Sequence, residues 1–268
     1  MIRNVIGSIA KSARRLFTSW RSLIVLIVLY AAMLISIYLF ASTGLATLMQ
    51  ILLTFLAALL APLLFFIVQA MCVGYIGSEG SGRLFVSSLK GFWKLVLMTV
   101  PFVLLAWLAV WLIGKIPVEA QAAASTVQRI APHPATVKPL ATPATNWKAV
   151  GVTALELIVL GFILPLAMVN LWIATNRDGM KQAVKGGLKT LARAFAPGSA
   201  LIYILGLLVF GVIPYFLVVM RPPATGPWVE VSLFVLKLIA AALFVLFGWA
   251  VTIGALAERQ ASQMKGRA

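Results

Sequence analysis

The sequence predicts an all-α polytopic membrane protein with about six transmembrane helices, built from repeats of a basic interfacial helix followed by a transmembrane hairpin. Three observations predict it. Of 268 residues, 62% are hydrophobic and 10% charged, with a mean hydropathy of +1.05, whereas soluble domains carry about 25% charged residues. At roughly 20 residues per crossing, the length has room for about six spans and their loops as a single integral membrane domain. The 22 Lys and Arg behind the formal net charge of +16 gather in short stretches flanking the apolar runs. That is the positive-inside pattern, not the footprint of a nucleic-acid binder, and no nucleic-acid partner is expected.

The repeat is read from Glu79 to Lys94 (EGSGRLFVSSLKGFWK). A shift of about 99 positions lays Glu79-Gly80 on Asp178-Gly179, Leu89-Lys90 on Leu188-Lys189, and Lys94 on Arg193. Leu16, Trp20 and Arg21 have the same mutual spacing and form a looser third copy.

In chain order, residues 1–22 form a basic interfacial segment. Ile2, Ile6, Ile9, Leu16 and Trp20 fall near one helical face, with Lys11, Arg14, Arg15 and Arg21 largely elsewhere, as in a helix lying on an anionic leaflet. The competing reading is a plain charged leader to the first span. Residues 23–113 hold spans one to three. The first, about Leu23 to Phe40, exceeds the roughly 7–15 residues of a signal-peptide core and is expected to remain as a span. The second, about Leu48 to Tyr75, carries Pro62, and tilt or a kink should absorb its excess length. A Gly- and Ser-rich break follows, then the second basic segment, then the third span, about Leu95 to Ile113, with Pro101.

Residues 114–148 are a Pro-, Ala- and Thr-rich external loop that cannot bury a core of its own. Residues 149–257 hold spans four to six, with Asn146 as N-cap of the fourth. Pro165 and Pro214 interrupt the fourth and fifth. Between these spans, Lys181, Lys185, Lys189 and Arg193 recur every fourth position and at a helical period form one stripe. Residues 258–268 are a short polar tail.

Orientation follows from the cations. Of the 22, only Lys115, Arg129, Lys138, Lys148, Arg221 and Lys237 lie on the loop side or outer half. Both termini are therefore expected in the cytoplasm, in agreement with an even number of spans. Trp20, Trp93, Trp147 and Trp228 fall at span ends, where an indole keeps its ring in the acyl boundary and its N–H wet.

Two charges fall inside spans. Glu156 follows Trp147 and Lys237 follows Trp228 by nine positions each, so both reach about 13 Å below the interface. Opposite charges at one depth invite a pair, since either alone in hydrocarbon is costly. A structural ion pair, a proton or substrate pathway, and two side chains snorkelling separately are the three readings. Gln69 and Asn170 are expected as interhelical hydrogen-bonding groups, and Gly248, Ala250, Thr252 and Gly254 as a small-residue packing face.

Catalysis has little to work with. The sole histidine, His133, sits between Pro132 and Pro134 in the long loop, and the six acidic residues form no cluster in sequence. No phosphate-cradling loop, nucleophile elbow or zinc-helix motif occurs, and no catalytic residue, metal or cofactor is expected. Cys72 reads as a buried small hydrophobe.

With basic segments such as SSLKGFWK and GGLKTLARAF recurring before apolar hairpins, the chain resembles a group of bacterial six-span inner-membrane proteins. That group includes the membrane region attached to some glycerophosphodiester phosphodiesterases. The resemblance implies the fold type and a bacterial inner membrane, and carries over no site residues. The expected function is non-enzymatic contact with anionic lipid headgroups through Lys11, Arg14, Arg15, Arg21, Arg83, Lys90, Lys94, Lys181, Lys185, Lys189 and Arg193, with a partner protein or second copy as a further contact. The alternative is a small transporter or permease subunit with a polar site around Glu156 and Lys237.

Overall fold

The computed structural model describes residues 2–43, 47–75, 81–116, 146–220 and 226–265. Most of the expected external loop, with His133, lies outside them, as do Glu79, Arg221 and the Pro222-Pro223 pair. All regular structure among the described residues is helical: α1 (Ile2–Thr18), α2 (Trp20–Ser42), α3 (Leu48–Gly74), α4 (Ser81–Ile113), α5 (Trp147–Glu156), α6 (Leu164–Asp178), α7 (Met180–Lys185), α8 (Gly187–Ala194), α9 (Pro197–Leu207), α10 (Ile213–Val219) and α11 (Pro227–Lys265). Among the described residues, six stretches are long and apolar enough to cross a membrane, namely α2, α3, α4 from Leu84, α5 through α6, α9 through α10, and α11 to Ser262. The chain is an all-α, multi-pass integral membrane protein.

The four prolines inside spans act in two ways. Pro62 and Pro101 sit within unbroken α3 and α4. Pro165 and Pro214 each follow a π-helical turn, Leu157–Ile163 and Leu208–Val212. A proline ring collides with the carbonyl four residues back, and the wider π turn relieves that collision while keeping the span continuous. Other boundaries follow local chemistry. Thr47 and Gln50 form a reciprocal capping box at α3, with backbone-to-side-chain bonds of 3.0 and 3.3 Å. The Asn146 side chain accepts the Ala149 N–H at 3.2 Å, capping α5 as expected.

The basic segments differ from one another more than their alignment suggests. The second runs without a break into its span, because nothing between Lys94 and Leu95 interrupts α4. The third is not one continuous stripe. It divides into α7 and α8 at Gly186, and Pro197, at the first turn of α9, sets it apart from the span that follows. Gly179, at φ 81°, makes the turn into α7, a conformation that costs glycine nothing. The expected polar tail is helical as far as Lys265, continuing α11.

Contacts divide the chain into two units, Met1–Val100 with Leu166–Ala268, and Pro101–Pro165. In the first, α2 packs along α3, while α11 contacts α1, α3, α9 and α10. Its interior is built on Trp172, Tyr203, Met71, Leu166 and Ile253, all with under 2% of their surface exposed. Side-chain hydrogen bonds join distant helices there. Trp249 Nε1 donates to Gln69 Oε1 at 2.6 Å, Trp172 Nε1 to Thr99 Oγ1 at 3.0 Å, and Gln260 Nε2 to Asn170 Oδ1 at 2.7 Å. Where α9 meets α11, a Cβ on Gly206 would overlap the Thr252 side chain, so glycine sets the helix separation. The second unit holds the latter part of α4, α5 and the first π turn, with the Lys115 ammonium 5.3 Å from the centre of the Trp111 ring.

Candidate functional site

The site grows from α1. Its residues meet α11 in reverse order: Phe17 stacks edge-on against Phe247 at 5.7 Å, Ser12 Oγ donates to the Val251 carbonyl at 3.1 Å, and Lys11 Nζ donates to Glu258 Oε2 at 2.8 Å. Arg15 Nη1 also donates to Glu258. So α1 runs opposite in sense to α11 along its last turns. The buried face of α1 is Val5, Ser12 and Leu16; it shares Leu16 with the expected apolar arc but is rotated to one side of it, so that Ile2 and Ile6 stay exposed. The small Ser12 lets the helices approach and satisfies its own hydroxyl on the α11 backbone.

Docking this way gives α1 two flanks. On the apolar flank, Ile9 and Phe17 close a groove of about 780 Å³ with Ile202, Val209, Phe244 and Phe247. On the polar flank, Arg3, Ser8 and Lys11 face Glu258, Arg259 and Ser262 across a crevice of about 570 Å³. Glu258 is 12% exposed and takes both ion pairs of α1. Its neighbour Arg259 is placed by α9. The guanidinium lies over Gly198, where any Cβ would overlap it. The Arg259 Nε is buried with no hydrogen-bond partner among the described residues.

Of the eleven cations expected at lipid, Arg14, Arg21, Lys90, Lys94, Lys181, Lys185 and Lys189 are exposed, and Arg193 is half-buried. Lys11 and Arg15 are exposed but committed to Glu258. Arg83 lies in the first turn of α4. Exposed Val184 and Leu188 accompany the lysines of α7 and α8.

Against protein-family profiles, curated proteins and solved structures, the chain has no match. Function must therefore be argued from the residues themselves.

The two charges expected as an intramembrane pair fall in different units, Glu156 in 101–165 and Lys237 in the other. Lys237 Nζ donates to the carbonyl of Met220, the C-cap of α10, where an ammonium also meets the negative end of that helix. Glu156 closes α5, and the π turn begins at the next residue. Sequence reasoning missed Glu258, Arg259 and Gly198 as a cluster. Glu258 and Arg259 read as a polar tail, and nothing local announces partners at Lys11 or Gly198.

Proposed function

We propose that this integral membrane protein engages anionic lipid headgroups, and a membrane partner or second copy over the same surface, through its basic helices and without catalysing a reaction. The observation that carries the reading is the surface of α7 and α8. Lys181, Lys185 and Lys189 are exposed there beside Val184 and Leu188, themselves 62% and 86% exposed. In water that apolar surface is wasted. At a bilayer interface the leucine and valine enter the acyl boundary while the lysines meet phosphates, each contributing about 1 kcal/mol near an anionic surface. The cation distribution and the resemblance to six-span bacterial proteins support an inner membrane with both termini cytoplasmic.

Retained lipid, measured by native mass spectrometry after extraction from mixed bilayers, tests it. Phosphatidylglycerol should be held over phosphatidylcholine by about 10-fold, and replacing Lys181, Lys185 and Lys189 by Gln should at least halve that preference. Equal retention of the two lipids would sink the proposal. The second reading, a small transporter or permease subunit, is favoured by one observation: the π turn beginning directly after Glu156, since such turns are frequent at functional sites. It requires proteoliposomes to dissipate a proton gradient in a way that Glu156→Gln abolishes.

A further inference from the structure

We infer that the crevice between α1 and the last turns of α11 is a phosphate site, taking the headgroup phosphate of an anionic phospholipid. The inference rests on the lipid reading above and gives it one defined place, built around Arg259, Arg3 and Lys11.

Arg259 is the reason. Its guanidinium lies on Gly198 in the first turn of α9, the end of a helix that carries positive partial charge. A cation is the wrong sign for that place. Its Nε–H is also buried without an acceptor among the described residues, and a buried unsatisfied donor is a cost that proteins rarely leave standing. An anion in the crevice sets negative charge beside the guanidinium and the helix terminus, offsetting the misplaced cation.

The surroundings have the charge for it. Among the described residues, Arg3, Lys11 and Arg259 line the crevice against a single carboxylate, Glu258, and that carboxylate is already shared by Lys11 and Arg15. The hydroxyls of Ser8 and Ser262 stand at the same crevice. A planar guanidinium beside an ammonium and hydroxyls suits a phosphodiester, which accepts two parallel N–H bonds from one arginine.

Depth decides the source of the phosphate. Arg259 follows Trp228 by 31 residues, about 46 Å of helix at 1.5 Å per residue. A bilayer with its headgroups is about 40–45 Å thick. With Trp228 at one surface, Arg259 stands among the headgroups of the other.

The test uses the whole purified protein, titrated in detergent with phosphatidylglycerol, phosphatidylcholine or inorganic phosphate and followed by native mass spectrometry and thermal melting. The wild type should hold one phosphatidylglycerol about 10-fold more tightly than phosphatidylcholine, and Arg259→Gln and Gly198→Ala should each remove most of that factor. Arg3→Gln changes an exposed residue and leaves the fold intact. It should lower the same affinity about 3-fold and decides the matter if the other variants misfold. If the folded variants retain the wild-type preference, the crevice assignment fails while the broader lipid reading stands. If the wild type shows no preference at all, both fail. If inorganic phosphate saturates the response and phosphatidylglycerol cannot compete with it, the headgroup assignment is overturned.

Discussion

Replacing Trp172 by Ala should cost about 3–4 kcal/mol of stability, the largest loss expected from any single truncation in the bundle. Trp172 is fully buried, meets Phe66 edge-on at 6.5 Å and donates its indole N–H to Thr99 at 3.0 Å. In a bilayer, lipid is as apolar as the ring, so the loss comes from packing and the interhelical bond rather than from transfer out of water. Most of the cost is therefore the cavity, which the neighbouring helices cannot close without moving backbone. Two milder variants separate the contributions. Trp172→Phe keeps much of the ring and should cost about 1–2 kcal/mol. Thr99→Val keeps the volume but leaves the indole N–H buried without its acceptor, again about 1–2 kcal/mol. Equilibrium unfolding in mixed micelles measures all three. A Trp172→Ala protein within about 0.5 kcal/mol of wild type would mean that the α4 and α6 contact is not packed as described.

Trp172 also shows where sequence reading stops. The spans were legible because a continuous apolar run of the right length has few other fates, and the Asn146 cap because its chemistry is local. Gln69 and Asn170 stood out as polar groups in apolar surroundings, and they do bond across helices, to Trp249 and Gln260. Their partners were not readable. Periodicity gives the angular position of a residue on its own helix, whereas pairing depends on the rotation and height of a second helix far away in the chain. The same limit hid the site. An apolar arc on α1 was visible, but not that α11 would take the flank bearing Ser12, whose hydroxyl has the Val251 carbonyl to bond. Nothing in the sequence singles out Gly198. Its role comes only from the arginine that lies on it.

The α1 helix should come away from the bundle when Glu258 is replaced by Lys. That carboxylate is 12% exposed and is the common acceptor for Lys11 and Arg15, so reversal loses two charge-assisted bonds and sets a new ammonium beside both cations and Arg259. Such bonds are worth about 1.5–3 kcal/mol when shielded. Lys11 and Arg15 are 56% and 45% exposed, so solvent screening reduces the combined loss to about 2–3 kcal/mol. Burial of Val5 and Leu16 opposes release. The outcome is a large shift toward an open helix, with the spans still folded. Amide exchange over Ile2–Thr18 should quicken by about 10–100-fold while that of α3 and α6 stays unchanged, and trypsin should cut at Arg14 and Arg15 first. Glu258→Gln, which keeps an acceptor but no charge, should give a smaller change of the same sign. Adding Lys11→Glu to Glu258→Lys restores one opposite pair and should recover part of the protection, a coupling that a double-mutant cycle isolates. Unchanged exchange in Glu258→Lys would mean that the apolar contacts of α1 hold it without the ion pairs. Release also frees Lys11 and Arg15, so under the lipid reading the detached helix should bind anionic vesicles more strongly even as the crevice at Arg259 loses its other wall.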